Sequence, residues 1–157
     1  MRTRAAAVAA LLLASACAWG AGSIPEPPGG SIAVSPETAL FFHRQIDAFY
    51  RRLTRRRFNA LETFNDPVLR DHFRSADLFF DYYADLAESL ADAHFDKSRP
   101  REFEVQEFLF EGRDRARVQV RFVGDDRRPL RPGTVTLIRR DRWEFAEESW
   151  WITPGKL

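Results

Sequence analysis

The apolar residues change period once along this chain, and that change narrows the folds open to it. From Ser35 to His94 they recur at steps of three and four, whereas from Phe103 to Ile152 they largely alternate. A helix-period half followed by a strand-period half implies an α+β domain, with helices gathered on one face of an antiparallel sheet. A chain of 157 residues suffices for one such core and is short for two. One domain is therefore predicted over 36–157.

In the helical half, Ser35-Pro36-Glu37 supplies a cap, a first-turn proline and an acid at the positive end of the helix dipole. Phe42, Ile46, Phe49, Tyr50 and Leu53 then mark one buried face, and the pattern continues through Phe58, Leu61 and Phe64 to a break at Asn65-Asp66-Pro67. A short second helix is predicted from Asp66-Pro67 through Phe73. The third is predicted from Ser75 to about His94, its apolar row being Phe79, Tyr82, Tyr83, Leu86 and Leu90, with Asp77, Asp81, Asp85, Glu88 and Asp92 on the opposite rows.

Four antiparallel strands should follow. Phe103 and Val105 take one phase and Phe108 and Phe110 the other, which a bulge near Gln106-Glu107 reconciles. Gly112-Arg113-Asp114 reads as a turn. Ala116, Val118, Val120 and Phe122 form an inward row, and residues from Gly124 to Gly133 read as a loop. Thr134 to Arg139 is the expected third strand, Arg140 to Arg142 a charged turn, and Trp143 to Ile152 the fourth strand.

The amino-terminal stretch carries a different message. Met1-Arg-Thr-Arg precedes an alanine- and leucine-rich run, the pattern of a secretory signal peptide over 1–18. That run is shorter than a helix needs to cross about 30 Å of hydrocarbon. Leu13-Ala14-Ser15-Ala16-Cys17 resembles a bacterial lipobox, which would make Cys17 a lipidated first residue, while the small-x-small triplets ending at Ala16 and Ala18 offer ordinary signal peptidase alternative cleavage sites. That resemblance implies an envelope location, anchored to the outer membrane because Ala18 follows the cysteine. Residues 19–35, rich in Gly, Pro and Ser, read as a tether. Cys17 is the single cysteine, so no intramolecular disulfide is open to the chain. Removing Arg2 and Arg4 from the 24 basic residues leaves 22 against 23 acidic ones, a balance that offers nothing to nucleic acid.

Phe49-Tyr50-Arg51-Arg52-Leu53 to Phe64, Phe79 to Leu86, and Arg140-Asp141-Arg142-Trp143 to Trp150 together resemble the nuclear transport factor 2-like superfamily, which includes ketosteroid isomerases and polyketide cyclases. The resemblance implies a cone, three amino-terminal helices on a curved four-stranded sheet, with a pocket between them. Phe73 leads almost directly into Ser75, as in the helical variant of exported accessory domains.

Candidate residues follow from that outline. Phe79, Tyr82, Tyr83, Trp143, Trp150 and Trp151, with Phe122, supply aromatic surface either for the core or for an apolar ligand or partner. Trp150 and Trp151 must face opposite sides of their strand. His43, His72, His94 and the acids of the third helix are the available acid–base groups, but none has the spacing of a catalytic pair. Asp92, His94 and Asp96 match no metal motif, so no metal or cofactor is expected. The run Arg51, Arg52, Arg55, Arg56, Arg57 should be solvated and partly paired with the acids of the third helix, and Arg115, Arg117 and Arg121 should pair with Glu102 and Glu104. The function expected is non-enzymatic binding of an envelope protein or a small apolar ligand. The alternatives are an isomerase- or cyclase-like enzyme and a module that works by surface contact.

Overall fold

Three side-chain caps start the helices in the computed structural model, which describes residues 32–155. The Ser35 hydroxyl accepts from the Thr38 N–H at 3.2 Å and begins α1, Pro36–Leu53. The Asp66 carboxylate accepts from Val68 and Leu69 and begins the one-turn α3, Pro67–Arg70. Ser75 accepts from Leu78 and begins α4, Ala76–Asp92. Each cap satisfies an N–H that the helix itself leaves open.

The stretch after α1 departs from expectation. The helix ends at Leu53, and a separate turn, α2, spans Leu61–Phe64. Asn59 sits at φ 96°, outside helical space, and the Tyr83 hydroxyl accepts from the N–H groups of Asn59 and Ala60 at 2.7 and 3.0 Å. A side chain of α4 thus holds the chain in a reversal where its periodicity alone would prolong α1.

The sheet is antiparallel in the order β1–β2–β3–β4: Glu102–Phe110, Arg115–Asp125, Thr134–Ala146 and Ser149–Thr153. The expected bulge is present: the β1–β2 register shifts between Val105 and Glu107, which brings Phe103, Val105, Phe108 and Phe110 to the same face as Ala116, Val118, Val120 and Phe122. Two boundaries are corrected. The expected turn over Arg140–Arg142 lies inside β3, where Arg140 pairs with Gln119, Asp141 with Val118 and Arg142 with Arg117. The reversal falls instead at Glu147 and Glu148, both at positive φ. The expected loop also begins late, because β2 runs through Gly124 to Asp125. A Cβ on Gly124 would lie 2.5 Å from the Phe95 ring, so only glycine lets that ring cover the strand here.

The core is a continuous set of buried residues from α1, α3, α4 and the inward face of the sheet. Phe42 and Phe49 each lie edge-on to Trp143 at 5.8 Å, and Trp150 tilts against Phe42 at 4.6 Å. Among the described residues no helix is long and apolar enough to cross a membrane.

Candidate functional site

The aromatic residues selected from the sequence divide into two groups. Phe79, Tyr82, Trp143 and Trp150 are each at most 2 % exposed, and Phe122 is fully buried. They pack on one another and on neighbours such as Phe42, Phe49 and Phe73, and Trp143 also borders a depression of about 230 Å³ together with Arg115, Ala116, Arg142 and Glu144. Tyr83 and Trp151 are half-buried. The Tyr83 hydroxyl is engaged by the loop before α2, as described above, and the Trp151 indole N–H donates to the Ala146 carbonyl at 2.9 Å. Trp151 lies on the face opposite Trp150, as the alternation required. Cys17, the expected signal segment and most of the expected tether lie outside the described residues.

The buried core contains a charge that sequence reasoning missed. Asp141, 4 % exposed, points inward from the middle of β3. Its Oδ2 accepts from the Tyr50 hydroxyl of α1 at 2.7 Å and from the Tyr82 hydroxyl of α4 at 2.9 Å. Its Oδ1 accepts from Arg139 Nε at 2.9 Å. The Arg139 guanidinium lies 4.6 Å from the centre of the Tyr82 ring and reaches Asp85 of α4 at 2.6 Å. One carboxylate therefore ties two helices and a strand together, and its charge is compensated by a cation and two phenol donors. Burial pushes both phenols well above the ordinary tyrosine range, and the neighbouring Asp141 charge pushes in the same direction. Tyr50 and Tyr82 are hydrogen-bond donors at any physiological pH.

The histidines stand apart from this cluster. The His72 ring packs 5.1 Å from that of Phe49, and its Nδ1–H donates to the Val68 carbonyl at 2.9 Å. Burial lowers its pKa, against the pull of that hydrogen bond and of Asp71. His43 lies beside Phe108.

The arginine run is paired differently from expectation. Arg51 binds Asp47 within α1, while Arg52 and Arg56 converge on the buried Asp66 at 3.0 and 2.7 Å. The acids of α4 are not their partners. On the sheet, Arg121 does reach Glu104 at 3.1 Å, but Arg117 pairs with Glu111 and Arg115 approaches Asp114.

Two kinds of surface remain. A cleft of about 480 Å³ lies between α4 and the end of β4, lined by Asp81, Ala84, Asp85, Glu88, Pro154 and Gly155. On the sheet face away from the helices, β2 presents Arg115, Arg117, Gln119 and Arg121, and β3 presents Ile138, Arg140 and Arg142. Two depressions there, of about 370 and 380 Å³, share Arg117 and Arg140. Ile138 is 57 % exposed among these cations. Comparisons with protein-family models, curated proteins and solved structures return no match.

Proposed function

We propose that this is an exported, non-enzymatic envelope protein that binds its partner by surface contact, through the sheet face that no described helix covers. In this reading residues 1–18 direct export, Cys17 carries the lipid anchor and residues 19–35 hold the folded head away from the membrane. The helices and sheet form the cone of a nuclear transport factor 2-like domain whose interior is given over to packing. The observation that carries the reading is the burial of Phe79, Tyr82, Trp143 and Trp150 to 2 % exposure or less, which commits most of the expected apolar site to packing. Exposed cations around an exposed Ile138 supply the chemistry of a contact surface instead.

Affinity capture from intact envelopes tests this. Arg117→Glu and Ile138→Asp should abolish capture of a specific partner, whereas Asp77→Lys on α4 should leave it intact. Equal capture by all three variants would refute the sheet face. Export and anchoring are tested separately: Cys17→Ala should lose palmitate labelling and membrane retention, and unchanged labelling would remove the anchor from the account.

A second reading, an isomerase- or cyclase-like enzyme, draws on the Asp141 carboxylate and its two phenol donors. It requires the Arg139–Asp85 pair to part, since that pair stands between Asp141 and the cleft that Asp85 lines.

A further inference from the structure

We infer that the groove around Arg117 and Arg140 on the open sheet face, flanked by Arg115 and Arg142, is a binding site for a phosphate group. This rests on the surface-contact reading above and names the chemistry that the surface takes.

The register is the first reason. Arg117 stands directly across from Arg142, and Arg140 lies on the diagonal from Arg117. Like charges placed opposite one another destabilise a sheet, and β2 and β3 nonetheless bring three arginines into neighbouring positions at this point. Their compensation is incomplete. Arg117 is held by Glu111, but among the described residues neither Arg140 nor Arg142 forms an ion pair with a carboxylate.

Arg140 is held without being neutralised. Its Nε donates to Gln119 Oε1 at 3.1 Å, and Gln119 Nε2 donates to Gln106 Oε1 at 3.0 Å. Gln106 is the extra residue of the β1 bulge, so the irregularity that aligns the core also sends an amide to the outer face. Neutral amides thus fix one edge of the guanidinium and leave its remaining donors to the groove. A guanidinium fork of this kind matches two phosphate oxygens at once. The two depressions that share Arg117 and Arg140 have room for a phosphate together with what it is attached to. Glu107, across from Gln119 on β1, lines one of them and disfavours an anion extending in that direction. Glu111 lines the other but is paired with Arg117, and Arg115, Arg140 and Arg142 outnumber it there, so the favoured approach is from the Arg115–Arg142 side.

The phosphate has two sources in an envelope, a phospholipid headgroup or free phosphate, and the experiment separates them. The domain is titrated with inorganic phosphate and, in parallel, with glycerophosphoglycerol, a headgroup without acyl chains, while the arginine Nε–Hε signals are followed by NMR. Sodium chloride at matched ionic strength is the control. Saturable shifts at Arg140 and Arg142 are expected with at least one probe, and Arg140→Gln or Arg142→Gln should weaken that probe about tenfold or more. Asp77→Asn should leave it unchanged. A response to glycerophosphoglycerol alone assigns the site to headgroups, and a response to both assigns it to phosphate in general. A response to inorganic phosphate alone assigns it to the free ion. Shifts no larger than those with chloride, or undiminished in both arginine variants, would overturn the inference. If capture nevertheless depended on Arg117 and Ile138, the surface-contact reading would stand without it.

Discussion

Replacing Asp141 by leucine should cost more stability than any single contact around it suggests. The substitution leaves the Tyr50 and Tyr82 hydroxyls and the Arg139 Nε without the acceptor they now share at 2.7, 2.9 and 2.9 Å. Breaking a buried charge pair from one side costs about 3–5 kcal/mol. For a domain of this size that corresponds to a fall in Tm of roughly 10–20 °C. Tyr50→Phe or Tyr82→Phe alone removes one donor to a charge that keeps its other partners, so each should cost about 1.5–3 kcal/mol. The triple variant separates a network from a sum. Once Asp141 is leucine, removing the two stranded hydroxyls should restore stability by about 1–3 kcal/mol for each hydroxyl removed. Urea denaturation followed by tryptophan fluorescence measures all four variants. The tyrosines add a pH signature. Because their native pKa values are raised, the stability they contribute is full below the ordinary value of 10.0 and is lost as pH rises through the native ones. Tyrosinate absorbance from these two should therefore appear together with alkaline unfolding. The reasoning is refuted if Asp141→Leu lies within about 0.5 kcal/mol of the parent, the ordinary range of a surface change.

Other substitutions probe the rest of the scaffold. Gly124→Ala should destabilise by about 1–3 kcal/mol through overpacking, because its Cβ would meet the Phe95 ring at 2.5 Å and the Arg99 carbonyl at 2.9 Å; a neutral thermal melt would show that Phe95 moves freely. Asp66→Ala should cost about 2–4 kcal/mol, since it removes the α3 cap and strands Arg52 and Arg56 together. Burial alone would raise the Asp66 pKa, but the hydrogen bond from Arg52 and the charges of Arg52 and Arg56 bring it below 3.8, so the deficit of this variant should persist at neutral pH and shrink only in strong acid. His72 has the same sign of dependence at higher pH. Its lowered native pKa means that stability is full above 6.5 and declines as pH falls below that value, and His72→Gln should flatten that part of a pH series of urea midpoints.

Much of this architecture is legible in the sequence because it rests on local chemistry. Ser35, Asp66 and Ser75 each precede a helix and each accept an N–H from it. The row Ala116, Val118, Val120, Phe122 is buried throughout, and the phase change at Gln106 is a real bulge. What stays hidden depends on contacts between distant residues. Arg140-Asp141-Arg142 reads as a turn because, with Arg139 before it, four consecutive charges ordinarily seek water. Yet Val135, Leu137 and Trp143 share the odd phase of β3, and that phase carries Arg139 and Asp141 inward between Leu137 and Trp143. The clue was available in the alternation, but a buried carboxylate is tolerable only because Tyr50 and Tyr82 arrive from helices 91 and 59 residues away in the chain. The true reversal at Glu147-Glu148 lacks the glycine or asparagine that positive φ usually attracts. The outer guanidiniums were visible as alternating arginines on β2, but with Arg140–Arg142 read as a turn, the pairing of Arg117 with Arg142 could not be drawn.

The proposed contact surface is the open face of the sheet, and site-specific photocrosslinking in living cells tests that proposal most directly. A photoreactive phenylalanine analogue placed at Thr136, Ile138 or Gln119 reports what touches that face, and the same probe at Ala84 or Glu88 reports the acidic cleft. The account predicts a discrete crosslinked product from the sheet positions, lost when Arg117 and Arg142 are changed to glutamate, and none from α4. Crosslinks confined to Ala84 and Glu88, with the sheet positions silent, would contradict it.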